Sequence, residues 1–89
     1  MKISKSLKIY GKVQGVGFRF YTNRKANELG LTGFVQNKRD GSVYIEVSGE
    51  EEIVDQFVIW CHSGPDWARV EEVKIQDIPY FEFNNFVVK

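Results

Sequence analysis

Residues 7–19 read LKIYGKVQGVGFR, and the character of the chain changes halfway along this stretch. Leu7, Ile9 and Val13 fall on one side of an alternating pattern, which is typical of a half-buried strand. Glycines then interrupt the alternation, and from Phe18 onwards apolar side chains recur at helical spacing. The stretch therefore predicts a strand that passes through a glycine-rich turn directly into a helix.

The predicted turn has the features of a small anion-binding cradle. Gly15 and Gly17 let the backbone curl closely around a ligand and turn successive N–H groups toward one point. A helix N-terminus beyond them adds unpaired N–H donors and partial positive charge. Arg19 adds a planar, permanently charged guanidinium group that matches the oxygens of a phosphate. Because an arginine opposes the positive end of the helix dipole, its position is easier to explain if an anion binds there. We therefore expect this turn to bind a phosphoryl group.

Helical spacing predicts two helices. The first covers about residues 19–29 and ends at Gly30, a C-cap residue. Its buried positions are predicted to be Phe18, Thr22, Ala26 and Leu29. The second begins at a capping box formed by Ser48 and Glu51, and Gly64-Pro65 stops it. Its buried stripe is predicted to be Ile53, Phe57 and Trp60.

The remaining segments read as strands. Residues 32–37 and 42–48 are predicted to form a hairpin, because Asp40-Gly41 favours the turn between them. Val70, Val73 and Ile75 indicate a further strand, and residues 83–88 a short last one. The order strand–helix–strand–strand–helix–strand is that of the split β-α-β, or ferredoxin-like, sandwich. The predicted fold class is therefore α+β, with an antiparallel sheet, two helices packed on one face, and one domain over residues 1–89.

Composition narrows the possible partners. Twelve basic and twelve acidic side chains balance in these 89 residues, whereas nucleic-acid and membrane-surface binders usually carry a basic excess. The single Cys61 cannot form an internal disulfide. We expect no leader peptide, and no apolar run is long enough to span a bilayer. We expect a cytoplasmic monomer with neither nucleic acid nor membrane as a partner.

Two separate motifs resemble one known family. Residues 13–19 (VQGVGFR) and 29–37 (LGLTGFVQN) are similar to the signature of acylphosphatase. The resemblance covers roughly residues 5–88. Its further matches are residues 40–43 (DGSV), 64–65 (GP), 68–70 (ARV) and Phe86. Phe34 departs from the commoner pattern, which has tryptophan there, and Lys38-Arg39 adds two positive charges beside the second motif.

The resemblance implies hydrolysis of a carboxyl–phosphate anhydride to a carboxylate and inorganic phosphate. We expect no metal or cofactor, because Arg19 and the loop amides can stabilise the phosphoryl charge without Mg²⁺. The resemblance also implies that Arg19 binds the phosphoryl group and that Asn37 holds the attacking water. The loop amides would complete the phosphate site, from Gln14, Gly15, Val16, Gly17 and Phe18. This assignment is chemically reasonable because a carboxylate is a good leaving group, so catalysis requires mainly positioning and charge stabilisation.

Other interpretations of the same residues remain open from sequence. The chain could be a non-catalytic phosphate- or anion-binding or regulatory domain of the same fold. It could also be an RNA-binding module, although Phe18 and Phe20 would then have to alternate on a strand. His62 is expected to interact with the last carbonyls of the second helix, and Cys61 to be a core residue. Lys38 and Arg39 are expected to be turn residues that face solvent, and the alternative that they attract anions to the site stays open.

Overall fold

Five strands and two helices follow one another in the predicted order, and the computed structural model describes all 89 residues. The elements are β1 (Lys2–Lys12), α1 (Phe18–Glu28), β2 (Thr32–Asn37), β3 (Val43–Glu50), α2 (Glu51–Cys61), β4 (Arg69–Ile78) and β5 (Phe86–Val88). The boundaries predicted for β2 are confirmed, and α1 lies one residue earlier than expected. Neither helix is long and apolar enough to cross a membrane.

The strands form one sheet in the order β4-β1-β3-β2-β5. The pairings among β4, β1, β3 and β2 are all antiparallel, as the ferredoxin-like pattern predicts. The short β5 instead pairs in parallel with β2, with Phe86 opposite Gly33 and Val88 opposite Val35. The sheet is therefore mixed. After β4, an outermost strand, the chain crosses to the other side of the sheet and adds β5 next to β2. As a result β1, β2 and β5 all run in the same direction and end at the same edge of the sheet.

Both helices cover one face of the sheet. Residues two apart in a strand point to the same face, so each central strand contributes alternate side chains to the core. The buried apolar side chains from the sheet include Leu7, Ile9, Val35, Val43, Ile45 and Val47. Those from the helices are Phe18, Ala26, Val54, Phe57 and Cys61. The predicted inner faces of β1, β3 and α1 are thus confirmed, with Leu29 half-buried at the end of α1.

The glycine C-cap predicted at the end of α1 is confirmed. At the end of α1, Gly30 adopts the left-handed conformation with φ 70°. The N–H groups of Gly30 and Leu31 donate to the carbonyls of Asn27 and Ala26 at 3.1 and 2.9 Å. This is the Schellman arrangement expected of a glycine C-cap.

The capping box predicted for α2 is wrong. Ser48 lies within β3, and its hydroxyl bonds to the Ser4 hydroxyl and to the Phe81 carbonyl. Strand β3 continues to Glu50, and α2 follows it directly. The first N–H of α2, from Glu51, donates to the Met1 carbonyl at 3.0 Å. The long-range contacts of β3 therefore override the local capping signal.

The buried face of α2 is rotated from the predicted stripe. Val54, Phe57 and Cys61 are its buried residues, while Ile53 and Trp60 are half-buried at the margins. Both stripes satisfy helical spacing, so the local pattern does not choose between them.

Candidate active site

A cleft opens at the sheet edge where β1, β2 and β5 end and α1 begins. Its volume is about 350 Å³. The lining residues are Val13, Gly15, Gly17, Phe18, Arg19, Phe20, Asn37 and Val88. The structure thus brings together the glycine loop, Arg19 and Asn37, which the sequence analysis had singled out from two motifs.

The loop between β1 and α1 presents a run of free backbone donors. Gly15 and Gly17 have φ values of 75° and 79°, a backbone conformation that residues other than glycine rarely adopt. None of the backbone N–H groups from Gln14 to Phe20 donates to an acceptor elsewhere in the chain. Such a run, followed by a helix N-terminus, forms a concave site for an anion.

Gln14 and Val16 do not line the cleft. The Gln14 side chain donates instead to the carbonyls of Lys38 and Ser42, at 2.7 and 2.8 Å. Val16 is half-buried and packs against the core. Any contact of these two residues with a phosphate must therefore come from their backbone N–H groups.

Arg19 lies in the first turn of α1 with its side chain exposed. Its Nη1 donates to the Lys89 carbonyl oxygen at 3.1 Å, which ties the guanidinium group to the end of β5. No Asp or Glu side chain forms an ion pair with it. Its charge therefore remains available to a ligand in the cleft.

Asn37 is the last residue of β2 and lies on the helix-covered face, two residues after the buried Val35. Its Oδ1 is buried and accepts no hydrogen bond. A buried acceptor without a partner costs about 1–3 kcal/mol. Because this oxygen is closed to solvent, a water molecule reaches it only if the Asn37 side chain turns within the cleft that it lines.

The cleft carries a single charged side chain, that of Arg19. Lys38 lies outside it: its Nζ is 5.0 Å from the centroid of the Tyr44 ring, on the face of the sheet away from the helices. Arg39 is exposed in the turn. Phe34 also lies on that outer face, where its ring contacts Tyr44 and Phe83, so it remains an apolar anchor.

His62 and Cys61 have the structural roles that the sequence predicts for them. Nδ1 of His62 bonds to the Val58 carbonyl oxygen at 2.9 Å, at the end of α2. Burial raises the pKa of the Cys61 thiol well above its usual range. No group of His, Cys, Asp and Glu side chains is arranged to hold a metal ion. Phe18 and Phe20 both lie in α1, so they do not form the aromatic strand of an RNA-recognition domain.

Sequence reasoning missed three residues of this region. Phe20 and Val88 line the cleft, and Lys89 supplies the carbonyl that holds Arg19. Phe20 could have been suspected from its place beside Arg19 at the start of the helix. Val88 and Lys89 had no local signal, because only the parallel pairing of β5 with β2 brings them to the cleft.

The chain folds as a ferredoxin-like sandwich with a cleft where β1, β2 and β5 end. Residues 5–88 match the sequence model of the acylphosphatase family. An acylphosphatase of Mannheimia succiniciproducens is 49% identical over 84% of this chain and 83% of its own length. One from Geobacter sulfurreducens is 46% identical over 100% of this chain and 99% of its own. The structure of an acylphosphatase from Coxiella burnetii superposes with a TM-score of 0.95, covering 99% of this chain and 93% of that one at 34% identity.

The chain therefore belongs to the acylphosphatase family. It is a hydrolase that acts on the acid anhydride bond of small acyl phosphates, so the activity implied by the two sequence motifs is confirmed.

Proposed function

We propose that the cleft hydrolyses acyl phosphates by direct in-line attack of a water molecule on phosphorus. In this proposal Arg19 and the loop amides of residues 14–18 bind the phosphoryl oxygens, and Asn37 positions the water. The observation that carries it is the run of unpartnered N–H groups from Gln14 to Phe20, most of whose residues line one cleft together with Asn37.

The phosphoryl group is held by donors that are in place before it binds. The Lys89 carbonyl occupies one edge of the Arg19 guanidinium group, and the remaining N–H groups are free for a two-point contact with phosphoryl oxygens. The loop N–H groups need no reorganisation as negative charge shifts toward these oxygens in the transition state. Donors fixed in this way supply much of the stabilisation in phosphoryl transfer.

Asn37 acts on the water without deprotonating it. Its Oδ1 accepts a hydrogen bond from the water, and this fixes the direction of the attacking lone pair. A strong base is not required, because the carboxylate that departs is a stable anion and needs no protonation. Holding the water in line with the breaking bond lowers the entropic part of the barrier.

The cleft lining also supports attack by water rather than by a side chain. It contains no Ser, Thr, Cys, His, Asp, Glu or Lys, and hence no group able to form a covalent phospho-enzyme. The proposed reaction accordingly proceeds in one step, with inorganic phosphate and the carboxylate as products.

The remaining features of the proposal concern the molecule in the cell. We propose that the protein acts as a cytoplasmic monomer whose partners are the acyl phosphate and inorganic phosphate, with no cofactor, nucleic acid or membrane. The balanced charge and the single buried Cys61 support this proposal.

The test is turnover of benzoyl phosphate in excess EDTA by the parent and by Arg19→Ala, Arg19→Lys and Asn37→Ala. We expect rapid, EDTA-insensitive turnover by the parent and loss of turnover in the Arg19 variants. Lysine fails because a point charge does not reproduce the bidentate contact. Asn37→Ala keeps phosphate binding and loses turnover, because the phosphate site remains and the water is no longer held.

Two exposed residues of α1 serve as matched controls, an arginine for Arg19 and an asparagine for Asn37. Arg24→Ala removes an exposed arginine that pairs with Glu28 at 3.5 Å, and Asn27→Ala removes an exposed asparagine. Neither lines the cleft, so both should retain parental turnover. Near-normal activity in Arg19→Ala, or a phosphorylated side chain trapped during turnover, would contradict the mechanism.

A further inference from the structure

The cleft has an apolar side that phosphate binding does not use. Phe20 and Val88 line it beside Arg19, which adjoins Phe20 in the chain and bonds to the residue after Val88, and they are 62% and 45% exposed. Exposed large apolar side chains at the mouth of a cleft are typical of a ligand-binding surface. We call this pair, Phe20 and Val88, the apolar rim.

Phe20 is held in place by its neighbours. Its ring meets the ring of Tyr21 edge to face, with centroids 5.1 Å apart and an interplanar angle of 86°. The Tyr21 ring in turn lies against Gly17. A Cβ atom added at Gly17 would stand 3.4 Å from the nearest carbon of that ring. The two aromatic rings therefore connect Phe20 to the glycine loop, and an aromatic anchor fixed in this way loses little entropy when a ligand binds.

Val88 is fixed by the sheet. It pairs with Val35 of β2, and the next N–H, from Lys89, donates to the Val35 carbonyl at 2.8 Å. The carbonyl of Lys89 also accepts from Arg19. One short segment thus supplies both an apolar wall of the cleft and the partner that holds the phosphate-binding arginine.

The charges around the rim narrow the choice of acyl group. Arg19 is the single charged group of the lining, and in the proposed mechanism the phosphoryl group engages it. A second carboxylate on the acyl group would find no cation in the lining to replace its lost hydration. An amino group would be repelled by Arg19. An uncharged apolar acyl group would gain contact with both rim residues.

We infer that the apolar rim binds the acyl portion of the substrate and makes the enzyme selective for acyl phosphates with uncharged, apolar acyl groups, aromatic ones included. This inference rests on the proposed function, because the phosphoryl group must occupy the cradle for the acyl group to reach Phe20.

The test compares kcat/KM for benzoyl phosphate and acetyl phosphate in the parent, Phe20→Ala and Phe20→Leu. Using the ratio of the two values removes effects that are common to both substrates. We expect the benzoyl-to-acetyl ratio to fall about tenfold in Phe20→Ala, since the lost contact is apolar surface that acetyl phosphate barely touches. Phe20→Leu should restore most of the ratio. Ile59→Ala is the control, because Ile59 is a 73% exposed apolar residue of α2 that lies outside the cleft.

The outcomes separate the two proposals. A parent that hydrolyses both substrates and a Phe20→Ala variant with an unchanged ratio would overturn the apolar rim and leave the proposed function standing. An equal loss on both substrates would also overturn it, because Phe20 would then support the loop. A folded parent that hydrolyses neither substrate would overturn the proposed function itself.

Discussion

Gln14 shows how one side chain can prepare the site without binding the ligand. Its Nε2 donates both protons, to the carbonyls of Lys38 and Ser42 on either side of the turn between β2 and β3. Lys38 directly follows Asn37. The amide therefore joins the start of the glycine loop to the end of the strand that carries Asn37, and it fixes the distance between the two halves of the proposed site.

Replacing Gln14 by leucine should impair both stability and catalysis. The variant removes one of the two hydrogen bonds that each carbonyl accepts, because the Ser42 carbonyl keeps the Lys38 N–H at 2.9 Å and the Lys38 carbonyl keeps the Gly41 N–H at 3.2 Å. The loss of each Gln14 hydrogen bond costs about 0.5–1.5 kcal/mol. We expect kcat/KM to fall about tenfold or more, because the loop and Asn37 are no longer held in register. Urea unfolding and benzoyl phosphate kinetics measure the two effects, and Gln56→Leu on the exposed face of α2 is the control. Parental kcat/KM in Gln14→Leu would show that the loop holds its shape alone.

At the scale of elements, the β2–β3 turn is organised by Asp40. One carboxylate oxygen accepts from the Ser42 hydroxyl and from the Ser42 N–H, at 2.5 and 3.0 Å, and the other lies 3.1 Å from Lys8 Nζ. These interactions, the Ser42 hydroxyl bond first among them, lower the pKa of Asp40 from 3.8 to about 2. The ionised carboxylate therefore stabilises the turn to which Gln14 donates its two hydrogen bonds.

The stability that Asp40 provides should depend on pH in a defined direction. Because its pKa is lower in the folded protein than in the unfolded chain, the contribution is complete above pH 3.8 and is lost as the pH falls toward 2. We expect the parent to be more stable than Asp40→Asn at pH 7 and the difference to vanish near pH 2. Unfolding at several pH values, with an NMR titration of the Asp40 carboxyl, measures this. A carboxyl that titrates near pH 4 would contradict the assignment.

The elements also show which parts of the fold the sequence could predict. Alternation placed β1, β2 and β3, and helical spacing placed α1, because each of these patterns depends on residues close in the chain. Ser48 and Glu51 matched a capping box, but the Ser48 hydroxyl is taken by Ser4 and Phe81, which are distant in sequence. The parallel pairing of β5 was missed for the same reason. Local patterns gave the elements, whereas contacts between distant residues decided their ends and partners.

At the scale of the whole molecule, the site joins parts of the chain that are far apart in sequence. The loop after β1, the end of β2 and the end of β5 all contribute to one cleft. The meeting of Arg19 and Asn37 in one cleft could be predicted because each residue lies in a motif that resembles a known family. Phe20 and Val88 could not be assigned a role, since their contribution depends on how the helix and the last strand meet. Because the unfolded chain separates these parts, an anion that binds the cleft should bind the folded state alone.

Inorganic phosphate should therefore stabilise the whole fold. Phosphate at ten times its Kd adds about 1.4 kcal/mol to the free energy of unfolding. In a domain of this size that corresponds to a rise in Tm of about 6 °C or more. Differential scanning calorimetry at constant ionic strength, with chloride in place of phosphate as the control, measures the shift. Arg19→Ala should lose it and Asn37→Ala should keep it, because in the proposed site the first residue binds the anion and the second binds only the water. An equal shift in Arg19→Ala would mean that phosphate stabilises the protein from outside the cleft.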